Sequence, residues 1–240
     1  PNKEIEIKIT MRGKVLFIPA NIKRRFLRNL VYAYVYQYFN CQNCIFRAEK
    51  ILTLNQAMDT VTNGTILISD PFLKDPNFVR TVVLLCDHEA SGTCGFVLNR
   101  KTEDTVSDLI TDMEGCDFPV YYGGPVQTDT VHILHRRPDL ITDSIEVVPG
   151  VFWGGDFTQV IQYIHAGLIQ ETDIRFYIGY SGWGEGQLNE ELEEKSWITS
   201  QGSEKLVFFP QSELIWKEAL KELGGEYQQL IHYPLDPQLN

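Results

Sequence analysis

No stretch of about eighteen consecutive apolar residues occurs in the 240-residue chain, so nothing in it reads as a membrane-spanning helix. The nearest approach is Leu30–Phe39, which follows the basic cluster Lys23, Arg24, Arg25 and Arg28. That run is short, rich in Tyr and without a small-residue cleavage site, and the reading is against a signal peptide. Regular cysteine spacing is missing as well. Five cysteines scattered over the chain do not form the framework of a small secreted protein, and a reducing, cytoplasmic location is expected. Cys41-x-x-Cys44 has metal or redox spacing, yet no second pair and no neighbouring His completes a ligand set. Walker and Rossmann glycine patterns are absent. Neither a metal nor a cofactor is expected.

The scarcities are also local. Residues 1–57 contain no Asp, a single Gly (Gly13) and two Pro (Pro1, Pro19), and carry ten Lys/Arg against three Asp/Glu, a net +7. Residues 58–240 carry the other eleven Lys/Arg against twenty-nine Asp/Glu, a net −18. A charge of that size repels a phosphate backbone, so direct nucleic-acid binding by residues 58–240 is disfavoured. DNA binding as a function would have to rest mainly on the basic segment, or on a partner. The expected organisation is a basic N-terminal extension over 1–57 and one domain over 58–240. The extension reads either as a partly disordered or helical arm, or as sequence upstream of a natural start at Met58.

A hydrophobic fraction of 43% is enough to build a sizeable core. Thr65–Ser69 reads as an apolar strand stopped by Asp70-Pro71. Phe78–Cys86 and Cys94–Asn99 read as an antiparallel hairpin turning at Ala90-Ser91-Gly92. Val106, Leu109, Ile110 and Met113 fall at helical spacing and predict a helix over Asp104–Met113, capped by Thr102 or Asp104. Val120–Tyr122, Val131–Leu134, Glu146–Val148, Val151–Trp153 and Ile174–Tyr180 read as further strands. Asp156 stands at an N-cap position before a helix bearing Phe157, Val160, Ile161, Ile164 and Leu168 on one side. An acidic helix over 187–195 and a last helix over Ser212–Leu223, closed by Gly224, complete the set. Strands outnumber helices and short turns join them. The predicted class is therefore α+β, with a mainly antiparallel, barrel-like sheet and packed helices in a single domain.

Six ordered stretches carry a family likeness. They begin with Gly64-x-Ile66-Leu67-Ile68-Ser69-Asp70-Pro71-Phe72, then Phe78-x-Arg80-x-Val82-Val83-Leu84-Leu85-Cys86-x-His88, then Gly92-x-x-Gly95-x-Val97-x-Asn99-Arg100. Tyr122-Gly123-Gly124-Pro125-Val126, Gly154-Gly155-Asp156 and Arg175-Phe176-x-x-Gly179-Tyr180-Ser181-Gly182-Trp183 follow, with a tail running through Trp197 to Trp216-x-x-Ala219-Leu220. In these the chain resembles the YqgE/AlgH family of bacterial proteins. The resemblance implies an α+β domain with a barrel-like sheet and a cytosolic home. It implies no reaction, since the family has no established one; some members are described as transcriptional regulators on genetic grounds.

Several side chains offer chemistry. Gly179-Tyr180-Ser181-Gly182-Trp183 resembles a nucleophile elbow, but Trp183 occupies the fifth position and no helix follows directly, so a glycine-rich turn is the plainer reading of Ser181. Cys86 and His88, two apart on a strand, would share a face as thiol and base, at a separation too long for direct contact. His132 and His135 stand three apart on a strand, hence on opposite faces, and are not expected to share a metal. Gly123-Gly124 and Gly154-Gly155 allow close backbone approach, with Asp156 as helix cap. Asp70 and Arg100 at strand ends read as an ion pair or as half of a polar pocket with Asn99. The leading expectation is a binding or regulatory protein acting through a small ligand or a protein partner. Its groove would lie near Asp70, Asn99, Arg100, Gly123, Gly124, Asp156 and Ser181. An enzyme using Cys86/His88 or Ser181 is the alternative.

Overall fold

The computed structural model describes residues 6–11, 14–19 and 61–233, and the chain separates into two units, Pro1–Thr60 and Val61–Asn240. In the first unit β1 (Glu6–Met11) and β2 (Lys14–Pro19) pair antiparallel, from Glu6↔Pro19 to Met11↔Lys14. Cys41, Cys44, the basic cluster and the boundary expected at Met58 lie outside the described residues.

The second unit is built on one curled sheet. Its strands are β3 (Thr65–Ser69), β4 (Val82–Glu89), β5 (Gly92–Val97), β6 (Lys101–Thr105) and β7 (Pro119–Tyr122). They continue with β8 (Val126–His135), β9 (Ser144–Val148), β10 (Val151–Gly154), β11 (Ile174–Gly184) and β12 (Trp197–Gln201). The order across the sheet is β12-β3-β4-β5-β11-β8-β10-β9, with β7 joined to β11 and β6. Every pairing is antiparallel except β7 with β11. The helices are α1 (Val106–Leu109), α2 (Phe157–His165), α3 (Gln187–Glu193), α4 (Glu204–Val207), α5 (Ile215–Leu223) and α6 (Tyr227–Leu230). The result is a half-barrel of α+β type, as the strand-rich pattern predicts.

Strand β11 is the pivot. Ile174–Ile178 pair with β8, and Phe176–Ile178 also pair with β7 on the other side. The register then shifts at Gly179 (φ +65°), and Ser181–Gly184 pair with β5. One long strand thus belongs to two stretches of sheet, and the bulge at Gly179 supplies the bend between them.

The cores follow the strand period of two. Ile66, Ile68, Val82 and Leu84 face one side and pack with Ile215, Trp216, Ala219 and Leu220 of α5. Leu67, Val83, Leu85 and Val97 face the other and pack with Trp183, Leu188 and Trp197. A third cluster forms beneath α2 from Val160, Ile133, Ile169, Ile174 and Phe176. Each buried aliphatic side chain contributes about 1.5–3 kcal/mol of transfer free energy. The Trp216 indole N–H donates to the Ser69 carbonyl at 3.0 Å, tying α5 to β3.

Four expectations need correction. The helix over 104–113 is instead β6, the single turn α1 and a 3₁₀ turn over Thr111–Met113. Asp108 accepts from the Thr105 backbone and hydroxyl at 2.8 and 2.7 Å, starting α1 in place of Thr102 or Asp104. Ile110 is then extended, so the apolar spacing is shared between two separate turns that bury Val106 and Met113. The second strand starts at Val82 rather than Phe78; residues 78–80 form a turn in which Phe78 packs 5.4 Å from Trp197. Leu168 lies past the end of α2 and is 52% exposed, while Ile169 takes the buried place. Finally β6 and β12 are strands that no alternating pattern signals, β6 being wholly polar and β12 apolar only at Trp197 and Ile198; β12 pairs with β3 along its whole length.

Candidate functional site

The chain leaves β5 at Val97 and enters β6 at Lys101, and two side chains fix the turn between them. Asn99 accepts the Val82 N–H at 2.9 Å and donates its amide to the Arg80 carbonyl at 2.8 Å. Its amide therefore stands in for a strand neighbour where β4 begins, next to Arg80 at φ +51°. Arg100 donates from Nη2 to the Pro76 carbonyl at 2.7 Å, holding the loop before β4 against the start of β6. Tyr122 ends β7 and donates its backbone N–H to the Arg100 carbonyl at 2.7 Å.

Asn77, Asn99, Arg100, Lys101, Tyr122, Ser212 and Glu213 line an open cleft of about 640 Å³ at this place. Two cations face one carboxylate there, in a domain whose net charge is −18. Partial burial lowers the Arg100 pKa from its ordinary value, opposed by Tyr122 and Asp75, and the guanidinium stays charged. One residue inward, Arg175 is buried over the Tyr121 ring (4.8 Å) and donates to the Leu98 carbonyl at 3.2 Å. Among the described residues Arg175 has no carboxylate partner. Positive charge with hydroxyl and amide donors is the recognition chemistry of a carboxylate or phosphate.

Of the residues expected to share a groove, only Asn99 and Arg100 line this cleft. Gly123, Gly124 and Ser181 instead meet one another. The Ser181 hydroxyl is fully buried and donates to the Gly123 carbonyl at 3.0 Å, inside β11. It sits in neither an elbow nor a turn, because pairing with Gly95 carries the strand on to Gly184. A Cβ on Gly124 (φ +153°) would stand 2.3 Å from the Ser181 nitrogen, which explains the paired glycines as a close crossing of two backbones. Gly154-Gly155 lies elsewhere, and Asp156 caps α2 by accepting from Thr158 N–H at 2.8 Å and Gln159 N–H at 3.4 Å. Asp70 accepts the Phe72 N–H at 2.8 Å and makes no ion pair with Arg100. Proline directly after Asp70 favours that local turn.

Cys86 and His88 do not share a face. Leu85 pairs with Gly95 but Asp87 pairs with Cys94, so Cys86 is an extra residue and the alternation slips by one. Cys86 packs in the core with Leu84 and Phe96, while His88 lies on the other side with its Nδ1 2.7 Å from the Thr93 hydroxyl. Burial, then Cys94 and Asp87, hold the Cys86 thiol well above its ordinary pKa. His132 touches the Phe96 ring at 5.1 Å, whereas His135 lies 3.1 Å from the Gly154 carbonyl through Nε2. Among the described residues no group of three His, Cys, Asp or Glu is placed to hold a metal, and no helix is long and apolar enough to cross a membrane.

Sequence reasoning did not single out Asn77, Lys101, Tyr122, Ser212 or Glu213. Lys101 next to Arg100 is a charge doublet, and Tyr122 precedes the glycine pair, so both carried a local signal. Asn77, Ser212 and Glu213 reach the cleft only through tertiary packing.

Comparison with known proteins gives one family. Residues 66–228 match the AlgH-like family model (DUF179). A UPF0301 protein of Chlorobaculum tepidum is 44% identical over 177 residues, covering 74% of this chain and 95% of that protein. One from Cytophaga hutchinsonii is 40% identical over 181 residues, covering 75% of this chain and all of its own length. The solution structure of the AlgH protein from Pseudomonas aeruginosa superposes with a TM-score of 0.57 at 28% identity, over 73% of this chain and 96% of that one. A crystal structure from Corynebacterium diphtheriae gives 0.62 at 17% identity, over 73% and 94%, a likeness of fold.

Proposed function

Since the chain belongs to the AlgH-like family, we propose that it is a cytosolic, ligand-binding regulatory protein whose cleft at Arg100 and Lys101 takes a small anionic molecule. One observation carries the reading. A strongly acidic domain places Arg100 and Lys101, with neutral donors from Asn77, Tyr122 and Ser212, around a single open cleft of metabolite size. Electrostatic selection of anions follows from that contrast. Catalysis is the weaker reading, because the Ser181 hydroxyl is engaged with a carbonyl and the bulge in β4 parts Cys86 from His88.

The test is a thermal-shift screen of the full chain against carboxylates, phosphate esters and nucleotides. A ligand at a hundred times its Kd stabilises by about 2.7 kcal/mol, a shift of several degrees. Arg100→Ala and Lys101→Ala are expected to abolish the shift. A hit indifferent to both substitutions, or a panel without hits, rejects the proposal.

A further inference from the structure

Cys86 and Cys94 come together at the one place where the β4–β5 ladder slips. The pairs Val83↔Val97, Leu84↔Phe96 and Leu85↔Gly95 keep one register; Asp87↔Cys94, His88↔Thr93 and Glu89↔Gly92 keep the next. Cys86 is the residue left between them, and at a bulge two residues of one strand oppose one of the other. Cys86 packs with Leu84 and Phe96 on the side of the sheet that bears α5. Cys94 lies two residues before Phe96 on β5 and so faces the same side. Cys94 has Asp87 as its ladder partner, and the bulge sets Cys86, the residue before Asp87, against it as well; a disulfide bridges Cα atoms roughly 4.4–6.8 Å apart.

Access is the second observation. Cys94 lines an open recess of about 440 Å³ with Asp87, Thr93, Val126, Tyr180 and Gly182, while Cys86 beneath it is 2% exposed. One thiol is thus reachable from solvent, with the other directly behind it. Cys94 is among the groups that raise the Cys86 pKa, after burial itself.

We propose that Cys86 and Cys94 are a cross-strand modification site, oxidised to a disulfide by hydrogen peroxide that enters the recess at Cys94. The Cys94 sulfur attacks the peroxide, the O–O bond breaks, an S–O bond forms and one water leaves. The Cys86 sulfur then attacks the Cys94 sulfur. The S–O bond breaks, the S–S bond forms, and the departing hydroxide takes the Cys86 proton as a second water. Two thiols pass two electrons to one peroxide. Burial and Asp87 push the Cys94 thiol up to about 11, so thiolate is scarce near neutrality and the reaction is slow. That marks a site oxidised under sustained exposure rather than a rapid catalytic pair.

The experiment is treatment of the folded full chain with hydrogen peroxide, alkylation of remaining thiols, and peptide mass mapping. A peptide linked through Cys86 and Cys94, 2 Da lighter than the reduced pair and released by dithiothreitol, is the expected product. Cys94→Ser should leave Cys86 unmodified at the same dose. Cys94 recovered as sulfinic or sulfonic acid with Cys86 still free, or a disulfide joining either residue to Cys41, Cys44, Cys116 or a second chain, overturns the proposal. So does recovery of both thiols intact at a dose that oxidises an exposed cysteine in a reference protein.

Discussion

Asn99 shows how much a single amide can hold in this fold. It bonds the Val82 N–H and the Arg80 carbonyl at the point where β4 has no strand to meet them. Asn99→Ala leaves both groups unmatched and is expected to cost about 1–3 kcal/mol, read from the urea midpoint. Asn99→Asp keeps the acceptor and should lose less. Gly124 is the opposite case, important for what it lacks. Any Cβ there meets the backbone of Tyr180 and Ser181 at 2.3 Å, so Gly124→Ala must part the crossing of β7 and β11. A loss of about 1–3 kcal/mol, the usual cost of overpacking, is expected in chemical denaturation. An unchanged midpoint would show that the crossing yields freely.

Among the elements, α3 depends on one carboxylate. Glu191 accepts the Trp183 indole N–H at 2.9 Å and the Trp197 indole N–H at 2.7 Å, clamping the helix across β11 and β12. Glu191→Ala strands two buried donors and is expected to cost about 1–3 kcal/mol, with a change in tryptophan emission as the rings gain freedom. Glu191→Gln keeps one acceptor and should fall between. Legibility also varies by element. Helix α2 was readable because Asp156 is its cap and Val160, Ile161 and Ile164 recur at helical spacing. Strand β12, Trp-Ile-Thr-Ser-Gln, and β6, Lys-Thr-Glu-Asp-Thr, were not readable, because short edge strands with little or no apolar alternation owe their conformation to the neighbours they pair with.

For the whole molecule, two partly or fully enclosed histidines set an acid limit. Burial lowers the pKa of both His132 and His135 from the ordinary value. At His135 the hydrogen bonds give the reason in detail. Nδ1 accepts the Arg137 N–H at 3.2 Å, so Nε2 carries the proton donated to the Gly154 carbonyl. A second proton on Nδ1 would face that N–H; the Gly154 bond and Asp139 offset the penalty only in part. The folded state therefore binds fewer protons than the unfolded chain. Its stability is full above the unfolded His pKa of about 6.5 and falls as pH drops below it. Melting temperature should decline between pH 7 and 5, and His135→Gln should flatten that decline. A profile that is flat in the native chain contradicts the tautomer argument.

The chain's own residues determined the α+β class, the strand-rich pattern, the hairpin at Ala90–Gly92, the helices at 157 and 215 and the acid excess of the main domain. These properties are local or summed, so the linear order of residues contains them. The tertiary structure alone decided that β11 serves two stretches of sheet and that Gly123 and Gly124 cross it. It also decided that a bulge moves His88 away from Cys86, and that Asn77 and Ser212 join Arg100 in one cleft. Each of those depends on register and on contacts between distant segments. A shift of one residue in a strand reverses every face that the sequence pattern assigns.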